Sequence, residues 1–364
     1  MGHAQQSFGD AMAAHRAGNI DSAEALYRSI LVEQPFDTDA LNLLAAVLRQ
    51  RDRFDEALDL SRRALATDSS CIINRFNFAE CLRASGFLDE AIREYEYCIE
   101  REPHHPQVHH SLGQAYAALG KRGLAVRAYR AAVSLRPRFY SAHVELAGHL
   151  LRSGEFAEAE RLCREAILIS TLLGPEGHET ASIYALLGDI MRGTNRYLDA
   201  VENYQHAVRL RPRWAAVYAA LAACLNALHR YSQSVEAARH AADLDGNCTL
   251  AFVELGTALE HRGQPLAAMD AFGRAMELRP DSSRTQMLLG RTQLQCLRQD
   301  EAMSSYRRAI EMSPASVDVH EGILAALNYS ASTGDHVVYE AHVNWALHAS
   351  GAVGRLRSAP VSDR

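Results

Sequence analysis

Four histidines, His104, His105, His109 and His110, crowd around Pro103 and Pro106 and form the densest polar cluster in the chain. His105 and His109 lie four apart, a spacing that metal ligands on one helical face use. Pro106, however, suits the first turn of a helix, which leaves His104 and His105 in the loop before it. A solvated inter-repeat turn is the favoured reading, with a metal site as the alternative. Glu155, Glu158 and Glu160 stand near Arg161 and Arg164 and read as a salt-bridged outer helix face, not as acid and base machinery. No phosphate-binding glycine-rich loop follows a strand. The expectation is therefore no catalytic, cofactor-binding or metal-ligating set, and a leaning away from an enzyme.

The elements around those residues repeat. From Pro106 the chain reads as a helix through Leu112, Gly113 and Tyr116 to Gly120, then a second helix through Ala125, Tyr129 and Ala132 to Pro137. The prolines set the ruler: Pro103 to Pro137 and Pro280 to Pro314 are each 34 residues, and Pro137 to Pro212 is 75, two periods plus seven. Nine units follow: 4–37, 38–71, 72–105, 106–139, 140–173, 181–214, 215–248, 249–282 and 283–316. The middle of each first helix carries Gly or Ala, from Ala11 through Gly113 to Gly290. Each second helix carries a small residue, from Ala23 to Ala302. One turn later on the same face comes Tyr27, Ser61, Tyr95, Tyr129, Cys163, Tyr204, Ala238, Phe272 or Tyr306. A larger side chain at the first position would push the two helices apart.

Composition sets the class. The 364 residues exceed one ordinary core, and the Ala- and Leu-rich chain predicts an elongated all-helical array. A net charge of −6 argues against a nucleic-acid partner. Seven scattered cysteines, never spaced Cys-x-x-Cys, read as reduced thiols of a cytoplasmic protein. The N-terminus has no apolar signal core, Gln6 departs from a myristoylation signal, and no run of 18 apolar residues occurs. No membrane association is expected.

Leu-Gly-x2-Tyr, then Ala-x3-aromatic, then Pro, at a period of 34, resembles the tetratricopeptide repeat over residues 4 to 316. The resemblance implies an all-α, right-handed superhelix of nine helix-turn-helix repeats, divided as 4–173 and 181–316. It also implies stability from neighbour-to-neighbour seams. After Pro314 the pattern changes to terminal helices over 317–349, the last from about Asp335, and the low apolar content of 350–364 predicts a disordered tail. The intervening 174–180 resembles the connector of kinesin-light-chain-type repeats, or is simply a longer loop. Either way it is the candidate for a change in curvature or a hinge.

The family's binding surface is a groove lined by first helices. On this chain the groove positions are Asn42, Arg49, Phe76, Asn77, Glu80, Arg83, His110, Gln114, Asp189, Arg192, Asn226, Glu260, Arg284 and Arg291. Such a lining implies binding of extended peptide or protein partners through backbone hydrogen bonds and a few charged anchors. The Lys/Arg and Asn pair of a chaperone-type carboxylate clamp is missing: Phe8/Met12, Asn42/Ala46, Phe76/Glu80 and His110/Gln114 stand at those places.

At the far end, Leu327-Asn328-Tyr329 followed by Glu340-Ala341-His342-Val343-Asn344-Trp345-Ala346 resembles the connector before the catalytic lobes of bacterial protein O-GlcNAc transferases and their plant Spindly-type relatives. That resemblance implies a second reading, the substrate-recruiting portion of a glycosyltransferase whose nucleotide-sugar lobes are not among these residues. It departs from the animal enzyme in its asparagine ladder, which survives only at Asn77. Scaffold binding is the first reading.

Overall fold

The structure is a computed structural model that describes residues 2–173 and 177–328, with Val343, Trp345 and Ala346. The described residues form nineteen helices and no strand. In the unit Met1–Gly174 the helices run in antiparallel pairs, α1 Gly2–Arg16 with α2 Ile20–Glu33, α3 Thr38–Gln50 with α4 Phe54–Thr67, α5 Ile72–Ala84 with α6 Leu88–Arg101, α7 Pro106–Ala118 with α8 Arg122–Leu135, and α9 Tyr140–Ser153 with α10 Phe156–Leu173. The unit Pro175–Arg364 continues with α11 Gly177–Gly193 and α12 Tyr197–Leu210, α13 Ala215–Ala227 and α14 Tyr231–Leu244, α15 Thr249–His261 and α16 Pro265–Leu278, α17 Ser283–Gln295 and α18 Gln299–Met312, and α19 Val317–Asn328. Each helix packs on the next along the chain within its unit, which is how a solenoid without a central core holds together.

The turns inside the pairs share one backbone device. At the same place in every repeat one residue adopts positive φ: Gly18, Asp52, Gly86, Gly120, Gly154, Asn195, His229, Gly263 and Leu297. Five are glycines, for which this left-handed conformation is free of a Cβ penalty, and Asn and Asp tolerate it. Leu297, at φ 58°, pays that penalty in full, and its side chain is 79% exposed, with no packing to offset the cost. Helix starts are set by Asn19, Asp37 and Ser282, whose side chains accept from backbone N–H groups three residues on, and by Pro106 and Pro265 in first turns.

The small residues and the aromatics explain one another. A Cβ built on Gly113 would stand 2.7 Å from Tyr129 Cε1, one on Gly188 2.5 Å from Tyr204 Cε1, and one on Gly256 2.6 Å from Phe272 Cε1. The ring of the second helix thus fills the space above the small residue of its own first helix. It also reaches the next repeat, since a Cβ on Gly322 of α19 would meet Tyr306 Cε1 at 2.5 Å. Every repeat with glycine at this position carries an aromatic opposite, whereas Ala45, Ala147 and Ala222 face Ser61, Cys163 and Ala238.

The segment read as a connector is helical from Gly177 on, because His178-Glu179-Thr180 contains neither proline nor glycine to oppose α11. Residues 174–176 lie outside the described residues. So do Tyr329, His342 and the tail 350–364. Of the terminal helix expected near 335–349, the described Val343, Trp345 and Ala346 are helical. Trp345 Nε1 donates to Glu321 Oε1 at 3.4 Å, which ties this end of the chain to α19. Among the described residues, no helix is long and apolar enough to cross a membrane.

Candidate functional site

The first helices bring most of the candidate groove residues into polar chains that link one repeat to the next. In α5, Glu80 is buried and accepts from Arg49 of α3 at 3.0 Å, from Arg83 at 3.0 Å and from the Tyr95 hydroxyl at 2.5 Å. Burial alone would raise the Glu80 carboxyl, but the Arg83 charge and the hydrogen bonds from Arg83, Tyr95 and Ser111 outweigh it and hold the group down at about 2. Arg49 and Arg83 are therefore occupied by a buried carboxylate. The same construction recurs in the other unit. The Tyr204 hydroxyl donates to Asp189 at 2.7 Å and Arg192 pairs with Asp189 at 3.1 Å. Glu260, also buried, accepts from Arg291 Nε at 2.8 Å, from its terminal nitrogen at 2.6 Å, and from Gln295 at 2.9 Å.

Other candidates are buried in the seams. Asn42 donates to Asn74 at 2.8 Å and leaves its own Oδ1 without a partner. His110 is buried between the rings of Tyr129 and Phe139, at 5.7 and 4.9 Å, and neither ring nitrogen finds a hydrogen bond. Burial lowers its pKa, so the imidazole is neutral at pH 7. Phe76 packs on Tyr95 and His105. Asn77 and Gln114 are half-buried on α5 and α7. The four histidines go separate ways: His104 is exposed, the His105 ring lies against Phe76, His109 Nε2 contacts the Pro103 carbonyl at 2.8 Å, and His110 faces Tyr129. The described residues hold no cluster of three or more His, Cys, Asp or Glu suited to a metal ion. The seven cysteines are free thiols. Burial pushes Cys98 up to about 11 and Cys163 and Cys224 up to about 12, so they carry no thiolate at neutral pH.

One stretch of the first-helix face is open. In the unit Pro175–Arg364 a cleft of about 480 Å3 is walled by Arg192 of α11, Tyr197 of α12, Asn226 of α13, Glu254 and Thr257 of α15, and Arg284 of α17. Ala220, Ala223 and Ala227 form part of its lining, and their small side chains give it room. Asn226 Nδ2 donates to Glu254 Oε2 at 2.8 Å and to its backbone carbonyl at 3.0 Å. Burial raises the Glu254 carboxyl against the opposing pull of Asn226, Arg284 and Arg192. Arg284 is exposed at the rim. Three candidates, Arg192, Asn226 and Arg284, thus meet in one place.

Glu254, Tyr95, Tyr204 and Ser111 are the functional neighbours that sequence reasoning passed over. A usable signal existed for the tyrosines: an acid directly after the small first-helix residue, as in Ala79-Glu80 and Gly188-Asp189, accompanies a tyrosine whose hydroxyl needs an acceptor. Where Met12 follows Ala11, the Tyr27 hydroxyl is buried without a partner.

Stacked antiparallel helix pairs on a 34-residue period, with polar chains along their first helices, define a helical-hairpin solenoid. Over residues 106–139, 139–213 and 253–317 its repeats match three models of the tetratricopeptide repeat. Residues 16–98 match the model of anaphase-promoting complex, cyclosome, subunit 3. The chain is 28% identical over 193 residues to the Protein CTR9 homolog of Arabidopsis thaliana, a match over 51% of this chain and 18% of that protein. It is 30% identical over 162 residues to Cellulose synthase operon protein C of Xanthomonas axonopodis pv. citri (strain 306), over 42% of this chain and 11% of that protein. The chain therefore spans less than a fifth of either relative's length. Among solved structures, a chain of the APC/C hetero-tetramer Cut9–Hcn1 superposes with TM-score 0.56 at 19% identity, over 84% of this chain and 58% of that one. Pseudomonas aeruginosa PilF gives 0.51 at 19% identity, over 61% and 97%. These two likenesses are of fold.

Proposed function

We propose that this protein is a non-catalytic scaffold that binds an extended segment of a protein partner along its first-helix face, in the cleft between Arg192 and Arg284. The observation that carries the reading is the alanine-floored opening at Ala220, Ala223 and Ala227, flanked by the exposed Arg284 and the Asn226–Glu254 pair. Small floor residues let a peptide backbone approach, and fixed polar groups at the walls supply hydrogen bonds. Arg49, Arg83, Arg192 and Arg291 on the first helices are already paired with acids, so the exposed Arg284 is the charge of this cleft that an incoming chain meets. The match of residues 16–98 to a subunit of a multiprotein complex is in keeping with protein partners. The seven free thiols support a cytoplasmic setting.

The test is a selection from a random-peptide display library against the full chain, followed by calorimetry on the selected peptides. Ala223→Trp, which fills the cleft, and Arg284→Glu should each weaken them about tenfold or more, equivalent to about 1.4 kcal/mol. Undiminished binding to both variants would remove the cleft as the site. A second reading, the recruiting portion of a protein glycosyltransferase, rests on Leu327-Asn328-Tyr329 and residues 340–346. A native protein several hundred residues larger than this chain would favour it over the scaffold.

A further inference from the structure

A second surface lies on the unit Met1–Gly174, and its logic emerges on comparing the same two positions in successive repeats. The fourth residue of a repeat and the tenth residue of its second helix face each other, and the pair is repeatedly complementary. In the third repeat Arg75 lies 3.9 Å over the Tyr97 ring. In the fifth, His143 stands 3.6 Å from Glu165. In the sixth, Tyr184 stacks on His206 at 5.0 Å, and in the seventh Tyr218 meets His240 edge-on at 4.4 Å. In the fourth repeat the first partner is present as His109, but the second is Ala131, the smallest residue at this position in the nine repeats.

The cleft beside this pair occurs in both the fourth and the seventh repeats, at about 460 and 450 Å3, with different walls. In the seventh the corresponding lining includes Gln233, Glu236 and His240. In the fourth, Leu124 and Ala131 replace Gln233 and His240, over a floor of Ile99, Leu112 and Ala128. Leu124 is 40% exposed there. Two carboxylates of α6, Glu96 and Glu100, stand exposed at the rim, against one arginine, Arg127. Glu96 already accepts from the Tyr116 hydroxyl at 2.7 Å, which fixes it in place.

We infer that the α6–α7–α8 cleft is a docking site for a partner-protein segment that presents an aromatic side chain next to a basic one. The aromatic ring takes the place that His240 or Tyr97 fills in other repeats, against His109, Leu112 and Leu124, and the basic residue meets Glu96 and Glu100. An apolar floor supplies the anchor and the acidic rim supplies the choice of partner, the usual division of labour at a small docking site.

The experiment uses the full chain, calorimetry, and three capped synthetic peptides, Arg-Trp-Arg, Arg-Ala-Arg and Glu-Trp-Glu. Arg-Trp-Arg should bind at least tenfold more tightly than either of the others. Converting the lining to that of the seventh repeat by Leu124→Gln with Ala131→His should lower its affinity at least tenfold, with the helical signal and melting midpoint retained, because the fold already carries Gln and His at these positions. As a second variant, Glu100→Arg, on an exposed side chain, should lower it about fivefold or more. Arg284→Glu, at the first-helix cleft, should change nothing, which separates this site from that one. Failure of the wild-type chain to bind Arg-Trp-Arg, equal binding of Glu-Trp-Glu, or undiminished binding by the lining variant would each overturn the proposal.

Discussion

The close approach of Gly113 to Tyr129 predicts a substitution whose sign depends on its neighbour. A Cβ at 113 would lie 2.7, 2.8 and 3.0 Å from Tyr129 Cε1, Cδ1 and Cζ, where carbon atoms prefer about 3.5–4.0 Å. The ring is 1% exposed and flanked by His110 at 5.7 Å and His149 at 5.5 Å, so it has little room to retreat. Gly113→Ala gains about 1 kcal/mol of helix propensity and incurs an overpacking cost of roughly 1–3 kcal/mol. The net expectation is a loss of about 1 kcal/mol. With Tyr129→Ala the obstruction is gone, the pair becomes the Ala/Ala combination of Ala222 and Ala238, and Gly113→Ala should now stabilise by about 1 kcal/mol. The coupling energy of the cycle is then about 2 kcal/mol. Gly148, with nothing within 4 Å of its would-be Cβ, is the control: alanine there should gain about 0.5–1 kcal/mol whatever stands at 129. Because a repeat array does not unfold as one two-state body, the assay is native-state hydrogen exchange of α7 and α8 alongside urea melts. If Gly113→Ala stabilises equally in both backgrounds, the ring does not occupy the space claimed for it.

Three further expectations follow from the turns and the buried acids. Leu297→Gly relieves a left-handed, unpacked leucine and should stabilise the ninth repeat by about 1 kcal/mol, read as slower exchange in α17 and α18; unchanged exchange would remove the strain argument. Glu80 is depressed from 4.5 to about 2, so its contribution is fully present above about 4.5 and is lost as pH falls towards 2. The shift corresponds to about 3 kcal/mol, and Glu80→Gln should flatten the acid limb of the stability curve over that window. Glu254 has the opposite sign: its pKa is raised by burial, so it favours the fold when protonated and loses that contribution as pH rises through its folded value. Glu254→Gln should therefore raise stability at pH 7 and leave it unchanged near pH 4, read by urea melts at the two pH values; a loss at pH 7 would show the charged form to be the favoured one.

What the amino-acid sequence by itself determined is the register. Proline spacing, Gly113 and its equivalents, and the aromatics sixteen residues later specify helix pairs on a 34-residue period, because each of those residue types answers a local demand: a helix stop, a close approach, a seam filler. The left-handed turn was legible in the same way at Gly18, Gly86, Gly120, Gly154 and Gly263, but was hidden where Leu297 occupies it. Side-chain commitments were not legible. Arg83, Arg192 and Arg291 look alike as groove arginines, yet Arg83 and Arg291 hold the buried Glu80 and Glu260 and Arg192 pairs with Asp189. Their partners lie on the same helix in two cases and on the preceding repeat's first helix in the third, and Glu80 also takes Arg49 from the repeat before it. Only the tertiary structure decides which charges face an incoming partner, since burial and pairing depend on how neighbouring repeats stack. The histidines that opened the question show the same division: His105, His109 and His110 are sent by one helix start and three different neighbours to separate environments, so adjacency along the chain set their place in the repeat and packing set their chemistry.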